Sequence, residues 1–203
     1  MATRPPFPIG EIEAPVGRRT QTELPIARLM SGTPVALPVV VLHGASDGPT
    51  VWINAATHGD EIIGVEVIRR VLALVHAGSL AGTLITVPIV NVHGFNTGDR
   101  YLPDRRDLNR SSPGSAAGSL ASQLAHRFLN DVVARCEFGI DLHSAAIHRE
   151  SLPQIRANPD DEKSMDLARA FGAPIIIKSP LRDGSLRSAA LKWGVPVLVY
   201  EAG

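Results

Sequence analysis

Several things are scarce in this sequence, and each shortage closes off a class of protein. Its 203 residues include one cysteine, Cys136, so no internal disulfide can form. That cysteine ends a helical pattern and reads as a small core hydrophobe. Neither sign of charge is in excess: 20 basic and 20 acidic side chains cancel. No overall field therefore draws in nucleic acid or an anionic membrane. Arg69-Arg70 and Arg105-Arg106 are pairs, too short to count as basic tracts. No apolar run approaches the ~20 residues of a membrane span. The first residues, Met1-Ala2-Thr3-Arg4-Pro5-Pro6, hold no apolar stretch of the kind a secretory signal needs. Internal repeats and low-complexity tracts are absent too. What remains fits a cytoplasmic globular enzyme, 44 % apolar and 20 % charged, with length for one ample core.

Along the chain, apolar β-branched runs alternate with stretches of helical periodicity. Residues 1–36 read as an N-terminal arm with edge strands, because proline is tolerated in sheets mainly at edges. Residues 37–203 read as one catalytic domain. Strands are expected at Val39–Gly44, Thr50–Ala56, Thr83–Val90, Phe138–Leu142, Leu152–Arg156, Pro174–Lys178 and Val195–Tyr200. Helices are expected from Asp60 to His76, Ser119 to Cys136, Asp160 to Phe171 and Ser185 to Trp193. The alternation predicts an α/β fold: a mixed, mostly parallel sheet flanked by helices on both faces. Trp52 and Trp193 read as packing residues. Between Asn91 and Gly118 no periodicity is sustained, and a loop so long and so rich in Arg, Asp and Asn is expected to be functional.

Ala55-Ala56-Thr57-His58-Gly59-Asp60-Glu61 sets an imidazole and a carboxylate three residues apart, where a strand meets a helix. Residues at i, i+3 share a helical face and can bind one metal ion. Two nitrogens and a carboxylate, with a fourth position open to water, make the ligand set of catalytic zinc hydrolases. The pair therefore calls for another His, and His143 supplies it at the end of the buried strand Phe138-Gly139-Ile140-Asp141-Leu142-His143. Taken alone, His58 could cap a helix and His143 could be a satisfied core histidine. Two histidines and a glutamate, each at a strand end, favour a metal.

Further motifs follow in order: Arg100-Tyr101, then Asp107-Leu108-Asn109-Arg110, then Asp141-Leu142-His143-Ser144, and finally Glu201-Ala202-Gly203 after Val197-Leu198-Val199-Tyr200. Together with His58-Gly59-Asp60-Glu61 they resemble the succinylglutamate desuccinylase/aspartoacylase family, relatives of the zinc carboxypeptidases, from about residue 50 to the last. The resemblance implies a zinc-carboxypeptidase-like fold and one Zn²⁺ per chain on His58, Glu61 and His143. It implies Glu201 as general base and Arg100 as stabiliser of the oxyanion. Asn109 and Arg110 would grip a substrate carboxylate, and Asp107 would stand behind His58. The implied reaction is hydrolysis of an N-acyl amino acid or a similar small amide, with no nucleic-acid or membrane partner; homo-oligomerisation is left open. The alternatives are a carboxypeptidase acting on peptide C-termini and a metal-binding remnant without catalysis. His148 and Arg149 are candidates to line the pocket, and Arg156 and Arg187 to meet a second substrate carboxylate. Family members continue into a smaller β-rich C-terminal domain, so the chain is read as truncated at that end, with a minimal version of the fold as the alternative.

Overall fold

The computed structural model describes residues 4–146 and 149–203. Its strands are β1 (Phe7–Ile9), β2 (Ile12–Ala14), β3 (Arg18–Arg28), β4 (Pro34–His43), β5 (Ser46–Ala55), β6 (Ala81–Val87), β7 (Phe138–His143), β8 (Gln154–Ala157), β9 (Ile175–Lys178) and β10 (Val197–Glu201). The helices are α1 (Ile63–Leu74), α2 (Val92–Thr97), α3 (Leu120–Asp131), α4 (Glu162–Phe171) and α5 (Leu186–Leu191). Strands β3 to β10 form one eight-stranded sheet in the order β3-β4-β6-β5-β7-β10-β8-β9. Its β6-β5-β7-β10 centre is parallel, as is the outer β8/β9 pair; β3/β4, β4/β6 and β8/β10 are antiparallel. This is the mixed, mostly parallel α/β sheet, flanked by helices, that the sequence predicts.

Alternation along the central strands sends side chains into a core on each face. On one face Trp52, Ile85 and Val87 meet Leu124, Phe128 and Leu129 of α3 and Ala190 of α5. On the other, Ala55 and Leu142 pack on Ile68 of α1, and Ile155 and Leu198 on Met165 and Ala168 of α4. The segment expected as an arm supplies the β1/β2 hairpin and the edge strand β3, whose register shifts between Pro25 and Ala27. Ile9, Ala14 and Leu24 from this segment belong to the α3-side core. Cys136 is buried, and burial pushes its thiol up to about 12, so it is inert at neutral pH. Trp52 is fully buried, but Trp193 is about half exposed: it follows the short α5, past the turns that face the core.

Two departures from the sequence reading shape the site. The stretch Asn91 to Gly118 is not loop throughout. It holds α2, capped by the Asn91 side chain, which accepts from Gly94 N, and closed by Gly98 at φ 68°. It also holds a single 3-10 turn, Leu108–Arg110, capped by the Asp107 side chain. Both are too short to show a period. Helix α1 begins at Ile63, not Asp60, so His58 and Glu61 lie on the connection from β5 rather than on a helical face. A turn closed by Glu61 N donating to His58 O (3.1 Å) brings them together instead. Gly59 makes this turn fit, since a Cβ there would run into the backbone of Gly94 and Phe95 in α2.

Candidate active site

The carboxyl ends of β5, β7 and β10 point one way, and the predicted ligands meet above them, where open α/β sheets place their sites. Donor atoms of His58, Glu61 and His143 all lie within 4.8 Å of one another, and all three residues are buried. The Glu61 carboxylate is the hub. Its Oε1 faces His58 Nδ1 at 2.7 Å and accepts from Arg100 Nη1 at 3.2 Å. Its Oε2 faces His143 Nδ1 at 2.6 Å and accepts from Ser144 N at 3.3 Å. Four donors hold it ionised: burial pushes its carboxyl up, but the His143 and His58 contacts outweigh that and leave it far below the usual range.

Behind each imidazole stands a second carboxylate. His58 Nε2 is 3.3 Å from Asp107 Oδ1, where the sequence placed Asp107, and His143 Nε2 is 2.9 Å from Asp141 Oδ2. Asp141 is the member that sequence reading missed as a functional residue, although Asp-x-His in a strand sends both side chains to one face. Asp141 Oδ1 in turn accepts from Asn54 Nδ2 (2.6 Å) and Thr57 Oγ1 (3.1 Å), and Trp52 Nε1 donates to Asn54 Oδ1 (2.9 Å). A buried polar chain thus runs from the core tryptophan to the candidate metal position. Burial pushes the Asp141 carboxyl up, yet the His143 charge and these hydrogen bonds hold it below its ordinary value.

A carboxylate oxygen can only accept, so each ring nitrogen that faces one must carry a hydrogen. These contacts favour the protonated form of both imidazoles. Burial pulls His143 down, but the Asp141 charge and its hydrogen bonds win and raise it well above an ordinary histidine. His58 is raised too, by Asp107 and Glu61, against burial and the His143 charge.

The donor set fits a divalent metal: two nitrogens and one carboxylate converge, and carboxylates fix the outer nitrogens. Asp141→Asn is accordingly expected to lower metal affinity about 10- to 100-fold, because the ring loses the charged acceptor that orients it. Chelator competition would measure this, and unchanged affinity would leave Asp141 a purely structural group.

A cleft of about 980 Å³ opens over this cluster. Arg100, Asn109, Arg110 and Glu201 all line it, so the predicted residues gather in one place. Arg100 bridges the two halves of the cluster, donating by Nη1 to Glu61 and by Nη2 to Asp107 Oδ2 at 3.3 Å. Asn109 is tied to the start of α5, its Oδ1 accepting from Leu186 N at 3.3 Å. Arg110 is exposed and donates to the Asn109 carbonyl. Glu201 neighbours His143 in the parallel β7/β10 register and contacts Arg156. Arg149 also lines the cleft, as does Arg187; His148 lies outside the described residues. Arginines outnumber carboxylates in the lining, so the cleft carries a surplus of positive charge. No helix among the described residues is long and apolar enough to cross a membrane.

The chain is similar to known proteins in both sequence and fold. An N-alpha-acetyl-L-2,4-diaminobutyric acid deacetylase of Halomonas elongata is 31 % identical over 149 residues, 70 % of this chain and 43 % of that protein. The crystal structure of a succinylglutamate desuccinylase/aspartoacylase from Rhodobacter sphaeroides superposes with a TM-score of 0.80 at 26 % identity, over 90 % of this chain and 57 % of the other. The product-bound ectoine utilization protein EutE (DoeB) of Ruegeria pomeroyi gives 0.81 at 26 %, over 92 % and 61 %. The chain thus spans less than half of the curated relative and about three fifths of these structures. Residues 47–203 match the succinylglutamate desuccinylase/aspartoacylase catalytic domain, and the chain belongs to that family.

Proposed function

We propose that this protein is a zinc-dependent amidohydrolase that removes the acyl group from an N-acyl amino acid or a similar small N-acylated amine. The observation that carries this reading is the convergence of His58, Glu61 and His143 at the floor of a cleft whose walls hold Glu201, Arg100, Asn109 and Arg110. The family, and the deacetylase named among the relatives, point the same way. Zinc on the three ligands would supply a Lewis acid for the scissile carbonyl and make an attacking water acidic.

The remaining chemistry falls to the chain's own side chains. Glu201 is the carboxylate on the rim next to His143, free of the ligand cluster, and it takes the proton of the attacking water and passes it to the departing amine nitrogen. Arg100 Nη1 lies against Glu61, so its guanidinium is beside the reacting carbonyl and steadies the negative charge that develops there. Arg110, exposed on the wall, offers a planar bidentate donor to the substrate's carboxylate, and Asn109 holds the turn that presents it.

These roles separate in kinetics. Arg100→Ala is expected to lower kcat by about 10²-fold, since its contact strengthens in the transition state. Arg110→Ala should chiefly raise KM, because a carboxylate anchor serves ground and transition states alike. Steady-state hydrolysis of N-acetyl amino acids by the metal-loaded protein measures both; if neither variant changed, the loop would be scaffold. Release of C-terminal residues from peptides, with N-acyl amino acids untouched, would favour the carboxypeptidase alternative.

A further inference from the structure

Trp52 meets Phe128 edge-on in the core, with ring centroids 6.5 Å apart, yet packing does not by itself account for its placement. Trp52 and Asn54 alternate along β5, so both face the same side of the sheet. Their register partners across β7 are Gly139 and Asp141. Gly139 leaves the room that the indole occupies, since a Cβ there would run into the Trp52 ring. The ring therefore lies over the bare backbone of β7, with Nε1 directed at Asn54 Oδ1 2.9 Å away. Packing alone does not call for this pair: apolar side chains would fill the same strand face without burying polar groups that cost stability unless satisfied.

The hydrogen-bond chain that starts at the indole has a single polarity. An indole N–H only donates, so the Asn54 atom that faces it is the carbonyl oxygen. The Asn54 amide nitrogen then points away, and both its hydrogens are used, on Asp141 Oδ1 (2.6 Å) and Thr57 Oγ1 (3.2 Å). Thr57 gives its own hydroxyl hydrogen to the same Asp141 oxygen (3.1 Å). With Oδ1 so engaged, Oδ2 is the oxygen that faces His143 Nε2 at 2.9 Å. Turning the amide over would set N–H against the indole N–H and a carbonyl oxygen against the Asp141 carboxylate. Trp52, Asn54, Thr57 and Asp141 are all buried, so solvent cannot compensate such a reversal.

We propose that Trp52 and Asn54 are positioning residues of the metal centre. The indole N–H fixes the Asn54 amide, the amide fixes which oxygen Asp141 turns to His143, and the His143 ring is thereby aimed with Nδ1 toward the metal. Trp52 acts through three successive hydrogen bonds and touches neither metal nor substrate. A residue that reads from sequence as core packing thus also governs how tightly the metal is held. This inference rests on reading His143 as a zinc ligand, and not on the chemistry of deacylation.

The test is zinc affinity by chelator competition, measured beside the melting temperature of the metal-free protein. Replacing Trp52 alone by L-benzothienylalanine exchanges the indole N–H for sulfur in a ring of the same shape. Zinc should then bind about three- to tenfold more weakly, a smaller loss than for Asp141→Asn because further hydrogen bonds intervene. Asn54→Asp is nearly isosteric but sets a carboxylate against Asp141, and should weaken zinc about 10- to 100-fold. Phe128→Leu controls for packing: it takes away the ring that meets Trp52 and keeps the hydrogen-bond chain. It should lower the melting temperature while zinc affinity stays within about twofold. In an Asp141→Asn background the benzothienyl replacement should change zinc affinity no further. Unchanged affinity on benzothienyl replacement overturns the proposal, as does an undiminished effect in Asp141→Asn, or a loss in Phe128→Leu as large as in the Trp52 and Asn54 variants. Wild type that takes up no zinc overturns the ligand set and the proposal together, whereas tight wild-type binding that ignores Trp52 and Asn54 overturns the proposal alone.

Discussion

His143→Ala should leave the purified protein without its metal. Wild type is expected to carry about one zinc per chain by elemental analysis, and the variant well under a tenth of that, with hydrolysis lost in proportion. The loss should exceed simple subtraction of one ligand, because removing the ring also leaves Asp141 as a buried carboxylate without its charged partner. His58→Ala should lose the metal as well. The same geometry fixes a sign for protons. Both imidazoles are raised by their carboxylate neighbours, which favours the protonated ring, and each must give up its Nδ1 proton to become a ligand. Metal binding should therefore release up to about two protons, fewer as pH rises, and affinity should fall as the medium is acidified. Calorimetry in two buffers of different ionisation enthalpy reads the count. A metal-replete His143→Ala, or an affinity that does not fall as the medium is acidified, would refute this ligand set.

Much of the fold was legible because the strands announce themselves. Val39-Val40-Val41-Leu42 and Val197-Leu198-Val199 are apolar at every position, the pattern of strands covered on both faces, and both lie inside the sheet. Less legible was whatever lacks a period. Helix α2 spans only Val92–Thr97 and includes a glycine, so nothing in its composition separates it from loop; its helical state rests on the Asn91 cap and on packing beside Gly59. The start of α1 was set too early for a related reason. Asp60 and Glu61 suit a first helical turn, but the helix waits until Ile63 because the backbone must first turn away from β5, with Ala56 at φ 50°.

The site divides along the same line. His58 and Glu61, which meet across one turn, could be read from local spacing, whereas Asp107 was placed behind His58 by the family resemblance alone. Asp141 was within reach by its strand period yet went unassigned. The Arg156–Glu201 contact could not be read at all, since it depends on β8 pairing antiparallel to β10 with a particular register, a non-local fact. One residue of slip would send Arg156 to the opposite face of the sheet. Charge composition hid it further: a chain of zero formal net charge nonetheless gathers arginines around one cleft.

Glu201→Gln should separate metal binding from turnover. Among the described residues the Glu201 side chain makes no hydrogen bond or ion pair with His58, Glu61 or His143, so the variant should keep the wild-type metal content. Its ion pair with Arg156 is partly exposed and contributes little to stability, about 0–1 kcal/mol, so the melting temperature should move by no more than a few degrees. The amide is nearly isosteric with the carboxylate but cannot accept a proton from water at neutral pH. A general base contributes about 10²–10⁴-fold, and kcat for N-acyl amino acids should fall within that range while KM changes little. Loss of zinc from the variant would place Glu201 among the ligands, and retention of more than about a tenth of the wild-type kcat would move the proton-transfer role to another group on the cleft wall.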